Sequence, residues 1–308
     1  MPRVTVVMAT YNWSAVLPFS MASALEQTFT DLELLVIGDG CTDDSADVVG
    51  AVAATDDRVR WIDLQPGVGH QYGPNNEGIC RARGDLIAYL GHDDLWLPDH
   101  LATLVDAADR GHRFTHAVTL LVSPHDPPSR HPAPGQRFEP GHWIAPTSVL
   151  HDRALGVDAG GWPAPDAHRT DDPEAALWRA LHARSPLHRV DRITSIKLPA
   201  ADRRNVYRER PFREQAYWLQ RVRDAEDPGQ DLVATIGRPY ELATPRPPER
   251  PVAVARRGLD DLRRLGRRMI GRPDVSGARR IAERQRFKGV PRARVRGPAW
   301  SATSRRRP

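Results

Sequence analysis

Cysteine is nearly absent from the 308-residue chain, where Cys41 and Cys80 stand alone. Two thiols make no disulfide framework, so a reducing, cytoplasmic setting is the expectation. No apolar run reaches the roughly 18 residues that a transmembrane helix needs. Met1-Pro2-Arg3 leads directly into VTVVMATYN, a short apolar segment that ends in polar residues. It lacks a small-residue cleavage site and reads as a strand rather than a secretory signal. A G-x-G-x-x-G or Walker A pattern after a strand is also missing, which argues against a dinucleotide oxidoreductase or a P-loop ATPase. Twelve histidines invite a zinc reading, yet no HExxH or CxxC pattern accompanies them. There is no internal repeat of solenoid length.

What is present is a chain with 40% hydrophobic residues, enough for a sizeable core, and a net charge of +5 that hides an asymmetry. Residues 246–308 hold 20 Arg and Lys against 5 Asp and Glu, leaving 24 against 34 in the remainder. The basic tail suits an anionic partner such as a membrane surface, and equally a solvated, disordered end. Within it, Leu259, Leu262, Leu265 and Met269 share one helical face among arginines. That face could lie on an anionic membrane or dock on the rest of the chain. Nucleic-acid binding through the same arginines is the weaker reading.

Buried strands are expected at 4–10, 32–40, 59–64 and 85–94, separated by helices over 14–29, 42–54 and a segment near 73–84. A helix over 97–111, with Pro98 near its first turn, follows the fourth strand. Further strands are expected at 114–123 and 188–200, a Pro/His-rich loop at 124–135, and helical structure over 203–224. The alternation predicts an α/β, Rossmann-like fold with a mostly parallel sheet flanked by helices. Ligands bind such sheets at the carboxyl ends of the strands. The polar clusters Thr10-Tyr11-Asn12, Asp39-Gly40 and His92-Asp93-Asp94 all fall there.

The ordered set ATYN, GDGCTDDS, NNEGICRARGD, YLGHDDLW, GGW and a DD…LW segment resembles family 2 glycosyltransferases of the GT-A fold, over roughly residues 4–185. The resemblance implies a nucleotide-sugar donor, UDP-linked by expectation, whose diphosphate leaves as the sugar moves to a hydroxyl of a glycan or lipid-linked acceptor. Inversion is implied. A divalent cation, Mn²⁺ or Mg²⁺, would neutralise charge developing on the leaving group and would take oxygen ligands. Asp93 and Asp94 are the implied metal acids, although an acidic pair before Leu97 could equally cap a helix. For the donor, the resemblance implicates Thr10, Tyr11, Asn12, Asp39, Gly40, Asn76, Arg83 and His92. Tyr11 could stack on the base and Asp39 accept from base or ribose, though either could be an ordinary rim or turn residue. Arg81 or Arg83 could face phosphate or simply line a helix surface.

Two positions depart from the family pattern. Gly38 stands where the first acid of the uridine motif is usual, and Gly91 where the first acid of the metal motif is usual. His92 fills the middle position, either as a nitrogen ligand or as a local hydrogen-bonding group. An inverting transfer needs a base for the acceptor hydroxyl. The acid after the Gly160-Gly161-Trp162 turn is implied, Asp172 first and Asp171 second, with Glu174 also at a suitable spacing. Either aspartate could instead cap the helix starting near Pro173. Trp96, Trp143 and Trp162 could stack on sugar rings or pack in the core. The expected division is a GT-A domain over 1–200, with its donor half at 1–111 and its acceptor half at 112–200. A helical extension over 201–243 and a basic tail over 244–308 follow. The expected location is cytoplasmic, with peripheral contact at the inner face of the cell membrane. The competing function is a non-catalytic GT-A-like module that binds a nucleotide sugar or glycan.

Overall fold

The computed structural model describes residues 1–242 apart from 134, 137, 140, 141, 165–171, 204 and 241. The basic tail, with its amphipathic segment, and Asp171 therefore lie outside the described residues. Four parallel strands form one half of the sheet: β1 (Val4–Thr10), β2 (Leu32–Gly38), β3 (Val59–Asp63) and β4 (Leu86–Tyr89). β1 and β2 are buried on both faces, as their continuous apolar runs require. The helices between them are α1 (Leu17–Leu25), α2 (Ser45–Ala53) and α3 (Tyr72–Arg81).

Beyond β4 the sheet changes direction. β5 (Leu95–Trp96), α4 (His100–Asp109), β6 (Phe114–Leu121), β7 (Ser129–His131) and β8 (Val149–Asp152) follow in sequence. Then come α5 (Arg153–Asp158), α6 (Pro173–His182), β9 (His188–Lys197), α7 (Val206–Glu209), α8 (Arg213–Asp224) and α9 (Pro228–Thr235). The strand order is β3-β2-β1-β4-β8-β6-β9-β5, with β7 on β6. β8 runs antiparallel to β4 and β6, while β6 and β9 are parallel. Hence β1, β2, β4, β6 and β9 point the same way, and Thr10, Gly38, Tyr89 and Lys197 end at one edge of the molecule.

Three differences from the sequence reading have physical causes. The fourth strand stops at Tyr89, and Leu95–Trp96 forms its own short strand against Ser195 and Ile196 of β9. Pro98 accordingly precedes α4 instead of sitting in its first turn. A three-residue strand, β7, lies inside the expected 124–135 loop and pairs with β6. Finally, the helices after residue 200 are no appendage. Trp218, Leu219 and Val222 of α8 and Leu232 of α9 share a buried cluster with Leu95, Val118, Leu120, Ile193 and Ile196. Without them this sheet face would meet water, so the extension expected over 201–243 packs back on the sheet.

Three buried histidines stiffen this frame as neutral groups. The His151 ring sits between the Tyr89 hydroxyl (2.8 Å) and the Asp152 carbonyl (2.8 Å), and His100 bonds Thr194 Oγ1 at 2.7 Å. Burial holds His100 down to about 3 and His116 and His151 to about 4, against 6.5 for a free imidazole. The unfolded chain therefore protonates first. Their stabilisation is complete above about pH 6.5 and is lost as pH falls towards 4. Asp94, raised by burial to about 6, works in the opposite sense over the same range but is one group against three. The thermal midpoint is expected to fall between pH 6.5 and 4, and a flat or rising profile by circular dichroism would contradict this.

Candidate active site

A cavity of about 610 Å³ opens where these strand ends converge. Its wall includes Thr10, Tyr11, Asn12, Asp39, His92 and Asp93 from the expected donor and metal sets, together with Asp94 and Asp172. Segments as far apart in sequence as Thr10 and Lys197 are thus brought together by the parallel half of the sheet and by β9.

Asp39 follows β2 and is held firmly. Its carboxylate accepts from the Val68 and Gly69 amides, the latter at 2.8 Å, and its own amide donates to the Thr10 carbonyl at 2.9 Å. Asn12 adopts a left-handed backbone (φ 56). Its side chain bonds Thr42 Oγ1 at 3.0 Å and accepts from the Thr42 amide at 2.7 Å, so it shapes the 41–43 loop. Gly40 has φ +73, and a Cβ there would stand 2.9 Å from the Gly67 amide nitrogen. Its part is to let two loops touch. His92 Nδ1 donates to the Ala9 carbonyl at 2.9 Å, and its ring lies 4.7 Å from that of Trp13. This is the local-bonding alternative for His92, in the tautomer those partners require.

The two glycines that depart from the family pattern each have a carboxylate close to the bare backbone. A Cβ on Gly38 would lie 2.4 Å from Asp63 Oδ1 and 2.6 Å from the Trp61 ring. Asp63, at the end of β3, accepts from the Gly40 and Cys41 amides at 3.2 and 3.3 Å. The carboxylate that holds this loop thus comes from the neighbouring strand. Gly38→Asp, which restores the usual acid, is expected to lower the thermal midpoint and not to improve nucleotide binding. Tighter binding by that variant would contradict this. A Cβ on Gly91 would lie 2.5 Å from Asp94 Oδ2 and 3.2 Å from Asp93 Oδ1, so both carboxylates close in over a bare backbone.

Asp93 and Asp94 have different environments. Asp94 is 1% exposed, and Lys197 Nζ reaches its two oxygens at 2.8 and 3.1 Å. The Leu198 amide adds a third bond at 3.1 Å. Burial raises the Asp94 carboxyl, and Lys197 opposes that rise. Burial alone would lower the Lys197 ammonium, but Asp94 and Asp93 more than offset it. Asp93 borders the cavity at 9% exposure, and Gln215 Nε2 of α8 holds its backbone carbonyl at 3.2 Å. Both Asp94 oxygens are therefore engaged, by the Lys197 ammonium and the Leu198 amide, although Asp94 still borders the cavity. One carboxylate plus ligand phosphates is a sufficient donor set for Mg²⁺ or Mn²⁺. Among the described residues no group of three or more His, Cys, Asp or Glu gathers as a self-contained metal cage.

Two donor assignments are corrected by position. Asn76 is buried and binds both sides of the Trp162 backbone, at 2.8 and 2.9 Å, so it fixes the Gly-Gly-Trp turn. Its neighbour Asn75 borders the cavity instead. Arg83 precedes β4 and so lies at the opposite edge of the sheet. Its amide donates to Glu33 Oε1 at 2.7 Å, and its side chain lies 4.0 Å from Glu33 Oε2.

Asp172 stands exposed at the cavity mouth just before α6 and makes no side-chain cap to that helix. Glu174 is also on the wall, with Gln71 Nε2 donating to it at 2.7 Å. Trp143 borders the cavity, whereas Trp96 and Trp162 are core. Sequence reasoning missed Lys197, one of two lysines in the chain, and Trp13, Gln215 and Arg210. Lys197 carried a usable signal: a lone lysine ending an apolar strand that otherwise reads ITSI.

The curled, mostly parallel sheet with helices on both faces defines a GT-A type of α/β fold. S. aureus TarS 1–349, solved with UDP-GlcNAc, superposes with a TM-score of 0.52 at 15% identity, covering 75% of this chain and 69% of that one. The mannosyltransferase PcManGT from Pyrobaculum calidifontis, solved with GDP-Man and Mn²⁺, gives 0.51 at 18% identity over 76% and 68%. Residues 5–152, just under half of the chain, match the family described as Glycosyl transferase family 2. A Campylobacter jejuni GalNAc(5)-diNAcBac-PP-undecaprenol beta-1,3-glucosyltransferase is 33% identical over 124 residues, 39% of each chain. The succinoglycan biosynthesis protein ExoO of Rhizobium meliloti is 38% identical over 108 residues, 35% of this chain and 30% of its own. The aligned stretch thus spans well under half of either relative. Among the described residues no helix is long and apolar enough to cross a membrane.

Proposed function

We propose that the protein transfers a sugar, with inversion, from a nucleoside-diphosphate donor to a hydroxyl of a glycan or lipid-linked acceptor. A UDP-linked sugar is the favoured donor. The observation that carries this reading is the convergence of Asp39, Asp93 and Asp172 on one cavity. Asp39 and Tyr11 hold the nucleoside, Asp39 with its carboxylate already fixed by two amides. Asp93 would carry Mn²⁺ or Mg²⁺, which when bound offsets the charge that builds on the leaving diphosphate. Lys197 lies on the same wall, its ammonium paired with Asp94. Asp172 takes the proton of the acceptor hydroxyl as that oxygen attacks the anomeric carbon. The reaction is proposed to take place in the cytoplasm at the inner membrane face, with the 244–308 tail as the contact. Asp93→Ala is expected to reduce turnover by about 10²–10³-fold. A variant with wild-type turnover would falsify the metal assignment.

A non-catalytic module that binds a nucleotide sugar or glycan is the second reading. It draws on the two glycines at acid positions and on the ion pair that already engages Asp94. Metal-dependent hydrolysis of a nucleotide sugar by the purified protein decides against it.

A further inference from the structure

We infer that Arg210 binds the diphosphate of the nucleotide donor, an inference that rests on the proposed transferase reading. Five acids border the cavity (Asp39, Asp93, Asp94, Asp172 and Glu174) against one lysine and one arginine. An anionic ligand needs positive charge there, and Lys197 has most of its charge taken up by Asp94. Arg210 is placed differently. It sits between α7 and α8 on the cavity wall, and its guanidinium carbon lies 6.0 Å from the Trp13 ring centroid. Trp13 in turn packs on His92, the residue before Asp93. The Arg210 guanidinium is therefore connected to the segment that carries Asp93 through two rings, those of Trp13 and His92.

Two further features single it out. Its Nε is buried and has no hydrogen-bond partner among the described residues. Neighbouring arginines do have carboxylate partners: Arg203 pairs with Glu214 and Arg208 with Glu209. No described acid forms an ion pair with Arg210. Its backbone is left-handed (φ 44, ψ 57) although Pro211 follows. An arginine there departs from the extended region that a following proline favours. A strained, unpaired guanidinium on an acidic cavity wall is suited to a ligand that brings its own anionic oxygens. The planar fork matches phosphate oxygens and would satisfy the buried Nε–H group.

The test is calorimetric titration of the full chain and its Arg210→Gln and Arg210→Lys variants. UDP, GDP and dTDP are the ligands, with Mn²⁺, beside UMP, GMP and dTMP. Arg210→Gln is expected to weaken whichever diphosphate binds the wild type by about 10–100-fold, the range for a hydrogen bond to a charged group. The corresponding monophosphate should shift far less, Arg210→Lys should fall between, and the thermal midpoints should agree. Equal diphosphate affinity in wild type and Arg210→Gln overturns the inference alone. So does an equal loss for mono- and diphosphate. Absence of any nucleotide binding to the wild type overturns the transferase reading and this inference with it.

Discussion

Replacing Asp172 with asparagine is expected to lower kcat by about 10²–10⁴-fold while leaving nucleotide affinity within about twofold. A positioned base contributes on that scale, and the amide keeps shape and polarity but cannot take a proton. The placement is favourable because Asp172 is exposed at the cavity mouth and its side chain is not spent on capping α6. Glu174, in the first turn of that helix, already accepts from Gln71. Glu174→Gln should therefore cost less than Asp172→Asn. The comparison needs a donor-hydrolysis or transfer assay with both variants side by side. If Glu174→Gln abolishes turnover and Asp172→Asn does not, the base is Glu174 and the assignment made here is wrong.

The second large effect concerns stability. Lys197→Met leaves the Asp94 carboxylate 1% exposed without its counter-ion. Removing one partner of a buried pair typically costs about 3–5 kcal/mol, because the remaining charge stays uncompensated. For a chain of this size that is a drop on the order of 10 °C in thermal midpoint. Replacing both partners, Lys197→Met with Asp94→Leu, should recover most of the loss, since apolar packing can stand in for such a pair. A single variant that melts within about 2 °C of wild type would show that the pair is not what holds β9 to the β4–β5 loop.

The contrast between these two acids shows how far the sequence could be read. The strands from Val4 to Tyr89 were legible because parallel strands buried on both faces need near-continuous apolar runs, and the crossover helices separate them cleanly. Their polar ends were legible for the same reason, so Asp39 and Asp93 fell on the cavity as expected. Sequence order could not reveal the partner of Asp94. Lys197 is 103 positions away on a strand that reaches the site only after β8 has reversed the sheet. Nor could it show which way α3 faces. Asn76 and Arg83 lie in one polar motif, but the helix turns Asn76 into the Trp162 backbone and ends with Arg83 at the far edge. Gly38 and Gly91 looked like lost acids. In three dimensions each is a bare position beside a carboxylate, Asp63 of the neighbouring strand in one case and Asp94 with Asp93 of the same loop in the other. The short strands β5 and β7 carry too few residues for any period to register.

The most direct measurement is calorimetric titration of UDP, GDP and dTDP, with and without Mn²⁺, into the wild type and Asp93→Ala. The expected result is one nucleotide that binds the wild type only with metal and loses that metal-dependent binding in Asp93→Ala. Binding that is indifferent to Mn²⁺ and to Asp93, or no binding by the wild type under any condition, would contradict a metal-assisted nucleotide-sugar transferase.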